Sequence, residues 1–462
     1  MPEILADNIS IINSDELEGT TRIDAEYYQP EYLNIERHLL NTVNYKLWKD
    51  INGKFITGPF GSSFNVENYV SYTPYRYMRG KDIKDFFLLD DDNVYIPEKD
   101  FERLNKYALY EGDILISVVG TLGNAVIVDK NSIPAVFSCK STAFRTTALN
   151  PFFLIAYLNC QFGRSLLQRK VRGAVQTGLN IDDLRLLPIF LPDTESQNKI
   201  AELVIAAKNN LDKSKILYSQ AEALLLEELG IKDIDLSHES CYEVNSADII
   251  PANRIDAEYY QPKYERVIEV IKKHPYKSIG DMFRLIKGIE PGSSAYWEGG
   301  KPFIRVSNLN KFEINNGNQQ YLSEKNYSEL KANYQPLKSE ILLSKDATPG
   351  IAYHLKDPID GIISSGILRL RALSDIKREY ICLVINSIVG QSQIERDSGG
   401  SVINHWKPSQ VQKTLIPLLP DKIQEKIENL CLESHSTHRQ AKELLEEAKR
   451  KVEEMIEKGN PI

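Results

Sequence analysis

One nine-residue sequence, RIDAEYYQP, occurs twice in this chain, at residues 22–30 and again at 254–262. Other segments recur in the same order and at a similar spacing. The segment EGDILISVVGTLG at 111–123, for example, corresponds to KSEILLSKDATPG at 338–350. A repeat on this scale dictates the fold, because each copy must build the same structure. We therefore interpret the chain as one unit of roughly 230 residues that is present twice.

Each half is predicted to contain a globular region of short strands and helices, followed by one long helix. The first long helix is expected over 194–229 and to end at Gly230, since glycine commonly follows the last helical turn. In both helices the mostly apolar heptad positions alternate in steps of four and three, the pattern of a coiled coil. Polar residues replace apolar ones in the middle, at Ser214, Ser434 and His438. The positions are Ile200, Val204, Ala207, Leu211, Ser214, Tyr218, Ala221 and Leu225, and Ile427, Cys431, Ser434, His438, Ala441, Leu445, Ala448 and Val452.

The fold class predicted from this pattern is α+β, with two similar globular domains of mixed α/β structure on helical stalks. Short helices are expected at 30–40 and 262–272, because proline is well suited to the first turn of a helix. The predicted divisions are 1–192 for the first globular domain, 193–232 for the central helix, 233–420 for the second globular domain and 421–462 for the C-terminal helix.

The composition predicts a cytoplasmic protein. No run of about eighteen apolar residues is present, so no membrane-spanning helix is expected. The first ten residues do not resemble a secretory signal, and the five cysteines are scattered as in proteins that keep their thiols reduced. The net charge of −8 lies in the two segments that contain the long helices, so the remaining residues sum to zero. The charge therefore leaves nucleic acid open as a partner.

The sequence gives no sign of catalysis. The phosphate-binding, dinucleotide-binding, zinc-protease and serine-hydrolase motifs are all missing. Asp24 and Glu26 could bind a metal, but an ion pair with Arg22 is the favoured interpretation. His435 and His438 lack further ligands at a suitable spacing, so no metal site is predicted.

Loops rich in Gly, Ser, Thr, Asn, Gln and basic residues recur at matched positions in the two halves. Such side chains bind phosphates and base edges, although shared turn geometry explains their recurrence equally well. These loops are KFITGPFGSSF, YMRGKDI, SVVGTLG and RGAVQTGLN in the first half, and RLIKGIEPGSSAY, IRVSNL, SKDATPG and SGGSVINHW in the second.

The order of globule, heptad helix, globule and heptad helix resembles the specificity subunit of Type I restriction-modification systems. The repeated RIDAEYYQP, the GDILIS…GTLG run and LPIFLPDTESQNKI carry the same resemblance. It implies two target-recognition domains, each reading one half of a split site in double-stranded DNA, and two helices paired antiparallel in an internal pseudo-twofold repeat. It also implies that two methyltransferase subunits dock on these helices and that restriction subunits join this core. S-adenosylmethionine, ATP and Mg²⁺ would then bind to partner subunits, and this chain would be no enzyme and bind no cofactor.

The resemblance also suggests which residues make contacts. The DNA-binding candidates are Lys54, Ser62, Ser63, Arg76, Arg79, Lys81, Thr121, Arg172, Gln176 and Asn180 in the first domain, and Lys287, Ser293, Ser294, Arg305, Asn308, Lys345, Thr348, Ser401, Asn404 and His405 in the second. The subunit or coiled-coil interface candidates are Ile200, Val204, Leu211, Tyr218, Leu225, Ile427, His438, Leu445 and Val452. Arg79 and Arg305 fall at matched positions, and each either reads DNA or forms a structural ion pair.

Two further predictions follow. The loops at 57–61 and 288–292 differ strongly, so the two half-sites should differ and the target should be asymmetric. A helix of about 34 residues spans about 50 Å, enough to separate two readers by about one 34–36 Å turn of DNA. Two other classes remain open, a coiled-coil scaffold that binds no DNA and a self-contained DNA methyltransferase or nuclease.

Overall fold

The computed structural model describes residues 12–13, 22–59, 61–120, 122–173, 177–232, 234–252, 254–398 and 405–459. In the first half, short strands and helices alternate before one long helix. The elements are α1 (Pro30–Thr42), β1 (Tyr45–Leu47), β2 (Gly53–Thr57), β3 (Arg76–Met78), β4 (Phe86–Phe87), α2 (Glu98–Arg103), β5 (Ile114–Ser117), β6 (Ala125–Ile127), β7 (Ala135–Phe137), β8 (Ser141–Thr146), α3 (Pro151–Asn159), α4 (Gln161–Arg169), α5 (Ile181–Arg185), β9 (Pro188–Phe190) and α6 (Thr194–Leu229).

The second half follows largely the same sequence of elements, with a few additions. They are α7 (Ser246–Ala252), α8 (Pro262–Lys272), β10 (Tyr276–Ser278), α9 (Ile279–Met282), β11 (Phe283–Lys287), β12 (Tyr296–Trp297), β13 (Lys301–Ile304), β14 (Gln320–Leu322), α10 (Glu324–Tyr334), β15 (Ile341–Ser344), β16 (Ala352–His354), β17 (Ile362–Ile363), β18 (Ile367–Ala372), α11 (Arg378–Asn386), α12 (Ile388–Asp397), α13 (Pro408–Val411), β19 (Leu415–Pro417) and α14 (Asp421–Lys458). The helices predicted after Pro30 and Pro262, and the first long helix, are confirmed.

The strands of the two halves pair in the same order. The larger sheet is β2-β8-β5-β6-β4 in the first half and β11-β18-β15-β16 in the second. A parallel pair lies beside it in each half, β3 with β7 and β13 with β17, and an antiparallel pair joins β1 to β9 and β10 to β19. The first half adds β4 to its larger sheet, whereas the second adds β12 and β14 to its smaller one. The predicted α+β class and internal repeat are confirmed.

The two long helices, α6 and α14, contain 36 and 38 residues. The chain divides into two compact units, the first made of Met1–Asn210 with Gln440–Ile462 and the second of Leu211–Arg439. Each unit therefore contains the first part of one long helix and the last part of the other, as expected for helices that run in opposite directions. No helix in the described part of the chain is long and apolar enough to cross a membrane.

The heptad positions of both long helices point into these units. In the first unit, Ile200 and Val452 belong to one hydrophobic core with α3 and α4, and in the second, Leu225 and Ile427 do the same with α11. Each such side chain stabilises the fold by about 1.5–3 kcal/mol when fully buried. All the predicted heptad positions are buried except three, which are half-buried: Leu211, His438 and Leu445.

The arginine of the repeated nonapeptide caps the C-terminus of a helix in each half. Arg22 pairs with Asp24, and its guanidinium donates to three successive backbone carbonyl oxygens at residues 169–171, where α4 ends. Arg254 pairs with Asp256 and donates to the last two carbonyl oxygens of α12, each at 3.2 Å. The carbonyl oxygens at a helix C-terminus lack partners within the helix and attract positive charge. The structural role predicted for Arg22 and Asp24 is confirmed.

A buried ionic group links α14 to the core of the second unit. Glu379 of α11, with a side chain only 1% exposed, lies 2.9 Å through its Oε1 from His354 Nδ1 and 3.0 Å from Lys356 Nζ. Its Oε2 lies 3.0 Å from Nδ1 of His435, a residue of α14. Among the described residues, no group of three or more His, Cys, Asp or Glu side chains is arranged to hold a metal ion.

Candidate nucleic-acid interface

Two glycines fix the loops that follow the first strand of each larger sheet. The amide of Gly58, just after β2, donates to the carbonyl oxygen of Ser141 at 3.3 Å. A Cβ atom on Gly58 would lie only 2.2 Å from the carbonyl oxygen of Ser138. A Cβ atom on Gly288, after β11, would likewise lie 2.1 Å from the carbonyl oxygen of Ser364. Only glycine allows backbone to approach this closely, so each loop is held against the turn that precedes β8 or β18.

In the first unit, several loops meet at this end of the larger sheet. The amide of Ser138 donates to the carbonyl oxygen of Met78, and the amide of Val118 donates to that of Lys140, both at 2.9 Å. The amide of Leu179 donates to the carbonyl oxygen of Val118 at 3.0 Å. We call this group the first loop cluster, and its described residues are 58–59, 61–63, 79–82, 118–120, 138–140, 172–173 and 177–180.

The second unit brings the corresponding loops together through corresponding hydrogen bonds. The amide of Ser364 donates to the carbonyl oxygen of Ile304 at 2.8 Å. The amide of Lys345 donates to the carbonyl oxygen of Gly366, and that of Trp406 to the carbonyl oxygen of Lys345, again at 2.8 Å. The second loop cluster consists of residues 288–294, 305–308, 345–348, 364–366 and 405–406.

Most of the DNA-binding candidates of the first domain lie in the first loop cluster, and two lie elsewhere. Those within it are Ser62, Ser63, Arg79, Lys81, Arg172 and Asn180. Lys54 is exposed, but it lies near the opposite end of β2. Arg76 is buried in β3, where its guanidinium donates to the carbonyl oxygen of Leu89 and where burial lowers its pKa. These two side chains are therefore separated from the loops.

Arg79 and Lys81 in the first loop cluster contact carboxylates. Nη2 of Arg79 lies 2.9 Å from Asp82 Oδ1 and 3.3 Å from Asp92 Oδ2. Nζ of Lys81 lies 2.5 Å from the same oxygen of Asp92. Burial alone would lower the pKa of Arg79, but the two carboxylates outweigh it and raise this pKa above its ordinary value. The positive charges of Arg79 and Lys81 are therefore balanced by the negative charges of Asp82 and Asp92.

The side chains of Arg172 and Asn180 also form hydrogen bonds within the protein. Another residue of the first loop cluster, Lys140, has no carboxylate partner among the described residues. Arg172 binds Asp183 through two hydrogen bonds of 2.6 Å each, and Asn180 caps α5 by accepting from the amide of Asp182 at 3.1 Å. Lys140 is exposed, and within the described residues no carboxylate lies within ion-pair distance of it. Lys140 was not among the residues predicted from the sequence, although its place in a short turn between two strand-like runs was a usable signal.

In the second domain, most of the candidates share the second loop cluster. They are Ser293, Ser294, Arg305, Asn308, Lys345, Thr348 and His405. Lys287 is exposed at the end of β11, directly beside this cluster. Lys345 pairs with Asp346, whose Oδ1 also lies 2.8 Å from Nδ1 of His405. Four candidates of the two domains lie outside the described residues: Thr121, Gln176, Ser401 and Asn404.

Arg305 occupies the position in the second unit that Arg79 has in the first. Its amide donates to Oδ1 of Asn308 at 3.1 Å, and its guanidinium donates to the carbonyl oxygen of Asn318. Asn308 is fully buried, and its Nδ2 donates to two backbone carbonyl oxygens of the following loop, at 3.1 and 3.0 Å. Asn308 therefore holds the loop together, while Arg305 lies at its surface.

Solved structures that are similar to this chain share little sequence identity with it. The crystal structure of a Type-I restriction-modification system S subunit from M. genitalium is 15% identical, with 91% of this chain and 97% of that chain covered and a TM-score of 0.41. The HsdS subunit from Thermoanaerobacter tengcongensis is 13% identical, with 91% and 97% covered and a TM-score of 0.28. A third structure, which concerns complex assembly and conformational transition of the type I R-M system, is 17% identical, with 90% and 99% covered and a TM-score of 0.27.

A comparison with curated proteins finds no match. A comparison with protein families does find one, and it matches the chain twice. The model of the Type I restriction modification DNA specificity domain matches residues 61–217 and again residues 272–430. The first match contains most of the first loop cluster, and the second contains all of the second loop cluster. Because the two matches cover more than half of the chain, this protein belongs to the family of Type I restriction modification DNA specificity domains.

Proposed function

We propose that this chain recognises a bipartite, asymmetric DNA target and directs methyltransferase and restriction subunits to it. Its family makes it a recognition subunit and not a catalytic one. One observation carries the rest of the proposal: the same backbone scaffold presents two loop clusters whose side chains differ. On this proposal each cluster reads one half-site, and the recognition domains are residues 1–192 and 233–420.

The differences between the clusters support two unlike half-sites. At the turn before β8 the first cluster carries Lys140, where the second has Gly366 before β18. The carbonyl oxygen of each accepts a hydrogen bond from a backbone amide, that of Val118 in the first cluster and that of Lys345 in the second. Similarly, Lys81 in the first cluster corresponds to Ser307 in the second. Base edges are distinguished by their patterns of donors and acceptors, so clusters with different donors select different bases.

The long helices offer matched surfaces to partner subunits. Counted along the heptad positions, Ile205 of α6 corresponds to Leu432 of α14, and each side chain is 40% exposed. A large apolar side chain exposed at the same position of both helices is suited to two copies of one partner. We therefore propose that two methyltransferase subunits dock here, with S-adenosylmethionine, ATP and Mg²⁺ bound by partner subunits and none of them by this chain. The restriction subunits would join through this core.

The test is a selection from randomised duplexes. This chain would be incubated with the duplex pool in the presence and in the absence of the co-encoded methyltransferase subunit, and the bound DNA would be sequenced. We expect two short, different motifs at one fixed spacing. Identical motifs would contradict the asymmetric target, and a single motif would contradict the bipartite one.

The selection and one calorimetric measurement together separate the other two classes of function. A stable protein complex that enriches no sequence in either condition would favour a scaffold without DNA binding. S-adenosylmethionine binding by the isolated chain, measured by calorimetry, would favour a self-contained methyltransferase. Sequence enrichment that requires the partner, without binding of S-adenosylmethionine to this chain, supports the proposed division of labour.

A further inference from the structure

Arg79 and Arg305 share one backbone geometry but have different surroundings. In each unit the arginine precedes a short turn, and its amide donates to the side chain three residues later, Asp82 in the first unit and Asn308 in the second. In each unit the guanidinium also donates to a backbone carbonyl oxygen thirteen residues later, that of Asp92 or that of Asn318. Both carboxylates of the first unit are thus replaced in the second by amides of nearly the same shape.

This replacement changes the charge of the site. In the first unit, Asp82 and Asp92 together balance Arg79 and Lys81. In the second unit, the amides carry no charge, and within the described residues no carboxylate lies within ion-pair distance of Arg305. No carboxylate of the described residues therefore balances the positive charge of the half-buried Arg305 guanidinium.

The remaining hydrogen-bonding capacity of Arg305 points the same way. Its Nε is buried and has no hydrogen-bond partner among the described residues. The hydroxyl of Tyr296 donates to Oε1 of Glu290 at 3.4 Å. Burial raises the pKa of Tyr296, Glu290 raises it further and Arg305 lowers it. Within the described residues, no ion pair joins Glu290 to Arg305. The guanidinium of Arg305 has a backbone partner in Asn318 but no carboxylate partner among the described residues. An acceptor that reaches its accessible part therefore gains a charge-assisted hydrogen bond.

We propose that Arg305 contacts DNA from the second loop cluster, whereas Arg79 forms internal ion pairs that stabilise the first loop cluster. The inference rests on the proposed function and deepens it. The acceptor is an electron-rich DNA atom, either a phosphate oxygen or the O6 and N7 edge of a guanine, because both match the guanidinium fork. Arg305 then distinguishes the two domains, which differ in how much of their affinity comes from this position.

The test places a carboxylate beside Arg305 without removing the arginine. Asn318→Asp puts the charge where Asp92 lies in the first unit, at an exposed position, so the fold is retained. The matched variant is Asp92→Asn, which takes the same charge away from Arg79. Each variant would be assembled with the co-encoded methyltransferase subunit, and its binding to the duplex enriched in the selection would be measured over a range of salt concentrations.

We expect Asn318→Asp to weaken binding about 5- to 100-fold, as the loss of one specific arginine contact does. If the acceptor is a phosphate, the slope of log K against log salt falls by about 0.9 and affinity falls for every sequence. If it is a guanine, the slope changes little and the preference for one base pair is relaxed. Asp92→Asn should not produce a loss of this size, because Asp82 still pairs with Arg79.

Unchanged binding by Asn318→Asp, with wild-type thermal stability, would overturn the inference about Arg305. Equal losses in Arg79→Ala and Arg305→Ala complexes of normal stability would also overturn it, since Arg79 would then contact DNA as well. Failure of the proposed function looks different, because the wild-type complex itself would then bind no duplex selectively.

Discussion

Ser434 donates a hydrogen bond from its Oγ to the backbone carbonyl oxygen of Ser214, at a distance of 2.7 Å. Both side chains are fully buried between the long helices of the second unit, with their hydroxyl oxygens 3.1 Å apart. At the corresponding heptad positions of the first unit, the residues are Ala207 and Ala441, which are also fully buried. One unit thus has a polar pair where the other has two methyl groups, and a polar pair of this kind fixes the register of paired helices.

We expect Ser434→Ala to lower the free energy of unfolding by about 1–3 kcal/mol, because the Ser214 hydroxyl stays buried without its partner. The double variant Ser214→Ala with Ser434→Ala should be closer to wild type, since two methyl groups already fit in the first unit. Chemical denaturation of the wild type, both single variants and the double variant gives this comparison. A double variant less stable than the sum of the single changes would show that the pair has another role.

Glu379 should make stability depend on pH in the acidic range. Burial alone would raise the pKa of Glu379, but His354, His435 and Lys356 outweigh it and hold this pKa well below its ordinary value of 4.5. A carboxyl group with a lowered pKa in the folded state contributes stability above its unfolded pKa. That contribution is complete at neutral pH and is lost progressively as the pH falls below about 4.5.

The variant Glu379→Gln tests this. At pH 7 it should cost about 3–5 kcal/mol, because the half-buried Lys356 loses its anion and the buried His435 loses its partner. The difference from wild type should shrink as unfolding is measured at successively lower pH below 4.5. Arg439→Gln is a suitable control, because its ion pair with Asp357 is exposed and should contribute little. A loss in Glu379→Gln that is constant over this range would contradict the assignment.

Gly58→Ala should disrupt the reading of one half-site while leaving the other intact. The added Cβ atom would collide with the carbonyl oxygen of Ser138, so the loop must move away from the turn before β8. Gly61→Ala is the matched control in the same loop, since its Cβ would meet only the sulfur of Cys139, at 3.8 Å. In the duplex selection, Gly58→Ala should lose sequence preference in one motif only. Loss of both motifs would mean that the loop acts on the whole protein.

Ile205→Glu and Leu432→Glu should each weaken the docking of one methyltransferase subunit. A carboxylate placed in an apolar contact loses its hydration without gaining a partner. Native mass spectrometry should therefore detect complexes with one methyltransferase subunit for each single variant and none for the double variant. Ile216→Glu is the control, because Ile216 is 58% exposed but corresponds to Glu443 in the other helix. Full assembly of the double variant would place the docking surface elsewhere.

The sequence by itself determined the elements whose signals are local. The repeat gave the two halves, the heptad spacing with Gly230 gave α6 (Thr194–Leu229), and the prolines at 30 and 262 gave the starts of α1 and α8. The heptad spacing and the prolines lie within a few turns of the structures that they specify, and the repeat can be read directly from the sequence. For the same reason the fold class could be predicted before any contact was known.

Only the tertiary structure decided which side chains share a loop cluster and which charges stay unpaired. Lys54 and Ser62 are near in sequence but lie at opposite ends of β2 and its loop, whereas Lys140 joins the cluster through strand pairing. The counter-ion Asp92 lies thirteen residues after Arg79 in the sequence, and no spacing rule predicts this contact. Nor does any spacing rule predict that Asn318 takes its place beside Arg305 in the second unit. Pairing between distant strands sets these neighbours, and the local pattern of a sequence carries little information about it.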